Sequence, residues 1–319
     1  MSRLAAPNAR RAALRAILGA PMLAGLAALL VLAGGRALDP EPLPTVRTRG
    51  FDVYQILAPR APVSMPVVIV AVDEASLSEF GQWPWPRTRL AELLRRVQAF
   101  DPIIVGFDML FPEADRMSPR GLAEALPELP PDARAALRAL PDNDAVFADA
   151  VAARPTVLSA YFGGAGPGAP LRTPPVVAAG HAPLAAMDRV GDKVLQNIET
   201  LRAQAAAPGV ANVRGEADGV VRRLPLLFRT DADVVAPSLN AEILRAAVGG
   251  PPIELRSRGG AGLASVGLGP LTIPTQPDGR MWVHFSPSSS DRFISAADVL
   301  NGTANPEQFR QKVVLIGLT

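Results

Sequence analysis

The sequence predicts an α/β fold in which a mixed, largely parallel sheet is flanked by helices, contains antiparallel hairpins and is preceded by one N-terminal transmembrane helix. Two apolar runs rich in β-branched residues, Val67–Val72 and residues 103–107, suit strands covered on both faces, as in parallel sheets. The dipeptides Asp218-Gly219 and Asp278-Gly279 are typical of hairpin turns, which join antiparallel strands. Residues 16–35 carry no charge, and about 20 apolar residues suffice to cross a bilayer as a helix.

The charges around this N-terminal segment predict its orientation. No acidic residue occurs before Asp39, and the segment is preceded by Arg3, Arg10, Arg11 and Arg15. An excess of arginine on one side predicts that this side, residues 1–15, is cytoplasmic. A cleaved signal peptide is the alternative, but the uncharged run is longer than the roughly 7–15 apolar residues that such a peptide usually has.

These observations divide the chain into four parts. Residues 1–15 form a cytoplasmic N-terminus, and residues 16–36 form the membrane anchor. Residues 37–65 form a proline-rich connector with one short amphipathic piece at residues 50–57. Residues 66–319 form a domain on the outer side of the membrane.

The first part of this outer domain is predicted to be a βαβ unit. Val67–Val72 is its first strand, and Pro86 suits the first turn of the helix that follows, where a missing N–H costs nothing. Apolar residues then recur at helical spacing, at Leu90, Leu93, Leu94 and Val97. Residues 103–107 form the second strand, and we expect a right-handed crossover.

The remainder of the chain predicts further helices and strands with two hairpins. The predicted helices are short ones within residues 123–140, one from a cap at Asn143 or Asp144 to about residue 153, one from Ser238 to about residue 248, and one over residues 294–300. The predicted strands are residues 156–162, a hairpin of residues 210–213 with 220–229, a hairpin of residues 271–273 with 281–285, and residues 313–317.

Composition excludes several classes of site. The net charge is only +2, which is too balanced to indicate nucleic-acid binding. The absence of cysteine excludes disulfides, thiolate metal sites and a cysteine nucleophile. The only histidines are His181 and His284, which match no zinc-binding motif, and no phosphate loop, dinucleotide fingerprint or serine nucleophile elbow is present. We therefore predict no cofactor, no metal and no catalytic residue.

Two carboxylates, Asp73 and Asp108, follow predicted strands that we expect to be neighbours. Ligands of open α/β sheets bind in the crevice beyond the carboxyl ends of the strands, so both residues are candidates for ligand contact. The more common role of Asp at such a position is to accept hydrogen bonds from the backbone of the following turn. A metal bound between the two carboxylates is a further alternative.

The segment Trp83-Pro84-Trp85-Pro86-Arg87 is the most distinctive motif of the chain. Two tryptophans are large surfaces that must pack or bind, and the prolines stiffen the segment. A structural clamp over the sheet edge is the favoured interpretation, and an aromatic surface for a ligand or a contact with another molecule are the alternatives. Arg87 is unfavourable at a helix N-terminus, so we expect an acidic partner, Asp73 or Asp108. The candidate ligand-binding residues are Asp73, Trp83, Trp85, Arg87 and Asp108.

Six segments of the chain resemble, in order, the second type of CHASE domain. They are VVIVAVDEASLSEFGQWPWPR, PIIVGFDMLF, DGVVRRLPLL, APSLNAEILR, FISAADVLNG and KVVLIGLT. The resemblance extends from about Arg47 to Thr319, and its most specific part is the first segment with its spacing to GFDMLF. It implies an extracellular sensor domain of a bacterial membrane receptor, in which further spans and a cytoplasmic output domain follow the sensor.

The resemblance also implies a cellular location, a partner and an output domain for the receptor. The sensor is periplasmic or extracellular and anchored in the bacterial inner membrane, and its partner is an unknown extracellular ligand or protein. The output is a class III adenylate or guanylate cyclase in our first expectation, with a diguanylate cyclase or a protein kinase as alternatives. We expect a homodimer, because such outputs work as dimers. We also expect a fragment or truncated product, because the sequence ends at Thr319 before any second span. No ligand residue is implied.

Two other functions remain open from the residues alone. One is a membrane-anchored periplasmic metal-dependent hydrolase that uses Asp73 and Asp108. The other is a structural dimerisation module without a ligand. The sensor differs from both because it has no catalytic activity of its own but does respond to a partner.

Overall fold

The structure is a computed structural model that describes residues 7–38, 43–59, 66–163, 170–179, 184, 187–257, 259, 262–287 and 289–319. Only the backbone is described for residues 7–20, 36–37, 43–44 and 179. His181 lies outside the described residues. The chain divides into two compact units, Met1–Ala61 with His284–Pro287, and Pro62–Val283 with Ser288–Thr319.

The smaller unit contains two helices, α1 (Pro7–Leu38) and α2 (Leu43–Leu57). The Oε1 atom of Gln55 accepts a hydrogen bond of 2.9 Å from the backbone N–H of Phe285. The amphipathic piece predicted at residues 50–57 forms the second half of α2. The anchor predicted for residues 16–36 lies in α1, and its side chains at 16–20 and 36 are outside the described residues. In the part of the chain that the structure describes, no helix is long and apolar enough to cross a membrane.

The larger unit alternates helices and strands. Its helices are α3 (Glu74–Phe80), α4 (Arg87–Ala99), α5 (Pro119–Ala125), α6 (Pro131–Ala139), α7 (Asn143–Ala153), α8 (Glu199–Arg202), α9 (Leu239–Ala247) and α10 (Ala296–Asn301), with 3-10 turns at Ser290–Arg292 and Pro306–Gln308. Its strands are β1 (Val67–Val72), β2 (Ile104–Phe107), β3 (Thr156–Phe162), β4 (Val176–Ala179), β5 (Arg189–Val190), β6 (Val194–Leu195), β7 (Gly209–Val210), β8 (Arg223–Pro225), β9 (Leu227–Thr230), β10 (Val235–Pro237), β11 (Ile253–Ser257), β12 (Leu263–Leu268), β13 (Leu271–Pro274), β14 (Arg280–Trp282), β15 (Phe293–Ser295) and β16 (Val313–Leu318).

The main sheet has the strand order β15-β1-β16-β2-β3-β6, and β7 also pairs with β3. All of these pairings are parallel except that of β6 with β3. The predicted largely parallel sheet is therefore confirmed. The prediction that β1 and β2 are neighbours was wrong, because β16 lies between them. Ile316 of β16 pairs with Val70 of β1 on one side and with Phe107 of β2 on the other.

Helices cover both faces of this sheet. Val105 and Phe107 belong to the largest core cluster, together with residues of α4, α7 and α10. Ile104, the alternate residue of the same strand, packs instead with Ile243 of α9. Because successive residues of a strand point to opposite faces, α9 lies on the face opposite to α4 and α7. Gly106 permits this packing, since a Cβ atom at that position would lie 2.5 Å from Ile243 Cδ1.

The other strands form three smaller sheets, ordered β13-β12-β11-β4, β10-β9-β5 and β14-β8. The antiparallel pairs include β11 with β12 and β8 with β14. Both predicted hairpins were wrong in their pairing: residues 210–213 do not pair with 220–229, and residues 271–273 do not pair with 281–285. The turns themselves exist, since Gly219 and Gly279 donate backbone hydrogen bonds to Glu216 and Gln276.

Helix boundaries follow the capping residues. Ser238 caps α9 by accepting a hydrogen bond from Ala241 N, as predicted. Asp142 caps α7 by accepting from Asp144 N and Ala145 N, so the predicted cap at Asn143 or Asp144 was misplaced by one residue or two. Gly302, in the left-handed conformation with φ 75°, ends α10.

Candidate functional site

The turn before α4 is built around Trp85, which is only 1% exposed. Its indole Nε1–H donates a hydrogen bond of 2.8 Å to the carbonyl oxygen of Gly81. Its ring meets that of Phe80 edge to face, with 6.1 Å between centroids. Trp83 is half-buried, and its ring centroid lies 6.2 Å from that of Trp85. Trp85 is therefore a core residue, and the turn is fixed to the sheet by it.

Arg87, the first residue of α4, is buried although it carries a charge. Its guanidinium carbon lies 4.4 Å from the ring centroid of Phe111, and its Nε lies 3.4 Å from Oδ1 of Asp144. Burial lowers the pKa of Arg87, and the charges of Asp144 and Asp115 oppose that effect. The expected acidic partner exists, but the prediction that it is Asp73 or Asp108 was wrong.

Asp115 and Asp144 connect the loop after β2 to the starts of α4 and α7. Oδ2 of Asp115 accepts a hydrogen bond from the backbone N–H of Arg87 at 2.8 Å and another from Asn143 Nδ2 at 2.8 Å. The backbone N–H of Asp115 donates to Oδ2 of Asp144 at 2.9 Å. Burial raises the pKa of Asp144, and the hydrogen bond from Asp115 and the charge of Arg87 do not cancel that effect.

Sequence reasoning missed both carboxylates as site residues. Asp144 was considered only as a helix cap, and Asp115 was not considered. The available signal was the pair of acidic residues Asp142 and Asp144 at a helix start, because only one of them can cap the helix. The other can then pair with a cation, and Arg87 is that cation.

A cleft of about 190 Å³ lies beside this cluster. It is lined by Pro84, Trp85 and Arg87 on one side and by Glu113, Ala114, Asp115, Arg116 and Met117 on the other. We call it the Trp85–Arg87 cleft. Glu113 and Met117 are exposed, whereas Trp85, Arg87 and Asp115 are buried, so an exposed loop covers a buried aromatic and charged floor. The cleft thus brings together an indole, a guanidinium and a carboxylate, all three of them buried.

Asp73 occupies a capping position at the end of β1. Its Oδ1 accepts hydrogen bonds from Ser76 N at 2.9 Å, Ser76 Oγ at 2.6 Å and Ser295 Oγ at 2.8 Å. Ser295 itself caps α10. Burial acts to raise the pKa of Asp73, but the hydrogen bonds from Ser76 and Ser295 outweigh it and the pKa is lowered. The carboxylate therefore joins the starts of α3 and α10, as the backbone-capping interpretation expects.

Asp108 is exposed and belongs to a different cleft. Its Oδ1 accepts a hydrogen bond of 3.3 Å from the hydroxyl of Tyr161. Burial raises the pKa of Tyr161, and the neighbouring charge of Asp108 adds to the effect. The cleft beside Asp108 has a volume of about 100 Å³ and includes Asn212 and Asn240.

The five candidate residues thus occupy three places. Trp83, Trp85 and Arg87 lie together, Asp73 caps helices, and Asp108 faces the second cleft. Because β16 separates β1 from β2, those strands are about 10 Å apart, and each carboxylate makes its own local hydrogen bonds. Within the described residues, no group of three or more His, Asp or Glu side chains is placed to hold a metal. A metal bound between Asp73 and Asp108 therefore has no support from the described residues.

Comparison with known proteins gives one match. The family model described as the CHASE2 domain matches residues 24–319. No curated protein and no solved structure matches the chain.

Proposed function

The chain belongs to the CHASE2 domain family, and on that premise we propose that it is the extracytoplasmic input domain of a bacterial transmembrane receptor. The observation that carries this proposal is the extent of the match, residues 24–319, which includes all strands of the main sheet. CHASE2 domains are sensor domains without catalysis of their own. A sensor needs a binding surface and a connection to the membrane, and the chain offers a candidate for each.

The proposed connection to the membrane is α1, with its anchor at residues 16–36. Its described residues are apolar on every side, and their exposed fractions include 78% for Met22, 73% for Val31 and 71% for Leu32. Apolar side chains around a whole helix are stable where lipid or protein surrounds them. The arginines before residue 16 support a cytoplasmic N-terminus and a periplasmic sensor.

The proposed binding surface is the Trp85–Arg87 cleft, with Trp83 beside it. The guanidinium of Arg87 donates one hydrogen bond within the described residues, to the carbonyl oxygen of Glu113 at 3.3 Å. An arginine side chain has five donor hydrogens, so most of its capacity is unused. A ligand or partner that hydrogen-bonds to Arg87 would compete with Asp144 and so act on the joint between α4 and α7.

We further propose that the receptor is a homodimer with a cytoplasmic output domain outside this chain. A class III adenylate or guanylate cyclase is the first candidate for that output, and a diguanylate cyclase or a protein kinase are the alternatives. The partner that the sensor detects is an extracellular ligand or protein. These proposals rest on family membership.

Labelling of single cysteines in whole cells tests the topology. The chain contains no cysteine, so each introduced cysteine is the only thiol of this chain that the reagent can label. Ser78→Cys, at an exposed position of α3, should react with a membrane-impermeant maleimide in intact cells whose outer membrane has been permeabilised. Ser159→Cys, at a position that is 0% exposed, is the control for folding and should not react.

Ser2→Cys is the control for the cytoplasmic side and should react only after the inner membrane is lysed. If Ser78→Cys also requires lysis, the larger unit is cytoplasmic and the proposed sensor function is lost. If Ser2→Cys reacts in intact cells, the orientation of the anchor is reversed.

A further inference from the structure

A third cavity, of about 80 Å³, lies between β3 and the chain segment at residues 196–208. We call it the Arg172–Arg202 cavity. It shares no lining residue with the Trp85–Arg87 cleft. Its polar lining consists of Arg172, Gln196, Asn197, Glu199 and Arg202, and its apolar lining of Leu158, Ala203, Ala205, Ala206 and Pro208. A mainly apolar wall with a few convergent polar groups is the lining that is typical of small-molecule sites.

Arg172 is held at this cavity by main-chain oxygens. Its Nη2 donates to the carbonyl oxygens of Arg202 at 3.3 Å, Ala205 at 3.0 Å and Ala206 at 3.3 Å. These carbonyls lie at the last residue of α8 and just after it, where a positive charge is favourable. Within the described residues, no carboxylate lies within 4.0 Å of Arg172, and its Nε and Nη1 donate no hydrogen bond. Arg172 is exposed, but its position is fixed by these contacts and three of its donor hydrogens remain available. The acidic charge that acts on it is that of Glu242, which is already paired with Arg245.

Arg202 brings a second guanidinium to the same cavity. Its Nη2 is paired with Glu199, and its Nη1 donates to Oε1 of Gln196 at 3.4 Å. Its Nε is buried and has no hydrogen-bond partner among the described residues. Two guanidiniums and one carboxylate leave the lining with one positive charge in excess. An unpartnered buried donor beside this excess charge favours an anion.

We propose that the Arg172–Arg202 cavity binds a small monocarboxylate with an apolar body. The carboxylate matches the forked donors of an arginine, which bind its two oxygens together. The apolar body matches Leu158, Pro208 and the alanines of the lining. A compact anion such as inorganic phosphate shares the charge but leaves the apolar wall uncovered. This inference does not depend on the Trp85–Arg87 cleft, and either site can fail without the other.

Titration calorimetry on the full chain tests this proposal with sodium benzoate, benzamide and inorganic phosphate. Benzoate should bind with one site per chain and a Kd of about 1 mM or tighter, and at least about tenfold more tightly than its neutral analogue benzamide. Arg172→Gln should weaken benzoate binding by about tenfold or more, because the charge is lost. Arg189→Gln removes an exposed arginine paired with Asp231 and should leave binding unchanged.

A second variant separates binding from folding. Ala203→Leu places a larger side chain at the exposed rim of the cavity without changing either arginine, and it should also abolish benzoate binding. Unchanged melting temperatures of both variants exclude unfolding as the cause. No saturable benzoate binding, equal binding to the wild type and Arg172→Gln, or phosphate bound as tightly as benzoate would each overturn the proposal.

Discussion

Arg87 and Asp144 form an ion pair that is almost completely removed from solvent. The distance from Arg87 Nε to Asp144 Oδ1 is 3.4 Å, and the side chains are 9% and 6% exposed. Within the described residues, neither of these two atoms has a hydrogen-bond partner. Attraction between the charges, more than ideal hydrogen-bond geometry, therefore holds the first turn of α4 to the first turn of α7.

Replacing Arg87 should be strongly destabilising. Arg87→Met leaves Asp144 and Asp115 buried without a compensating charge, and we expect the free energy of unfolding to fall by about 3–5 kcal/mol. Urea unfolding of the larger unit, followed by circular dichroism, measures this loss. The control is Arg96→Met, which breaks an exposed pair with Glu92 and should cost about 0.3–0.5 kcal/mol. Equal losses in the two variants would show that the buried pair contributes no more than a surface pair.

Asp144 should make the stability depend on pH. Burial raises its pKa in the folded chain, so the folded state retains a proton that the unfolded chain has already released. Between the ordinary aspartate pKa of 3.8 and the raised folded value, stability therefore decreases as the pH rises. Asp144→Asn does not titrate, and its stability relative to the wild type should increase with pH over this window. Urea titrations from about pH 4 to about pH 7 measure the difference, and a constant difference would contradict the raised pKa.

Asp218 should have the opposite pH dependence. The side-chain hydrogen bond from Arg222 lowers the pKa of Asp218 to about 2, and the backbone N–H of Val220 adds to the effect. The stability that this carboxylate contributes is present above 3.8 and is lost as the pH falls towards about 2. As the pH falls from 3.8 towards about 2, the free energy of unfolding should decrease less in Asp218→Asn than in the wild type, as measured by urea titrations at each pH. An equal decrease in both proteins would show that the Arg222 contact is absent in solution.

Gly106 should not accept a side chain. In Gly106→Ala the new Cβ would meet Ile243 Cδ1 at 2.5 Å and Leu315 Cδ2 at 3.1 Å, and overpacking of this kind costs about 1–3 kcal/mol. Ile243→Val removes the closest atom, so the double variant should recover part of the loss. Gly121→Ala in α5 has no neighbour closer than 3.7 Å and should be neutral or slightly stabilising. Thermal unfolding compares the three, and a neutral Gly106→Ala would mean that α9 does not pack on β2 as closely as described.

Replacing Trp85 should strongly destabilise the fold. Trp85→Ala removes a ring that is 1% exposed, and we expect a loss of about 3–5 kcal/mol in the free energy of unfolding. Trp85→Phe retains much of the packing but loses the hydrogen bond to Gly81, so it should cost less. Trp282→Ala, at a position 37% exposed, is the matched control and should cost less than Trp85→Ala. Unchanged stability of Trp85→Ala would show that this indole is exposed and available for binding.

Local sequence patterns predicted much of the fold correctly. The apolar runs at β1, β2, β3 and β16 have the continuous character of buried strands, and the structure contains all four. Ser238 caps α9 as expected, because a cap depends on residues within one turn of it. The turns at Gly219 and Gly279 were also correct as turns, since they depend on adjacent residues.

Strand pairing was predicted less well than the strands themselves. A strand has two hydrogen-bonding edges, and its sequence does not state which distant strand occupies each edge. β8 pairs with β14 across more than 50 residues of chain, whereas the hairpin prediction assumed the nearest run. For the same reason, β16 at the end of the chain could not be placed between β1 and β2 in advance.

The sequence by itself predicted that Arg87 has an acidic partner, because a cation is unfavourable at a helix N-terminus. Only the tertiary structure decided that the partner is Asp144 and that Asp73 caps helices instead. Charge and capping requirements are properties of single residues and their immediate neighbours. The choice among several carboxylates depends on distances between elements far apart in the chain, and those distances are set by the packing of the whole sheet and its helices.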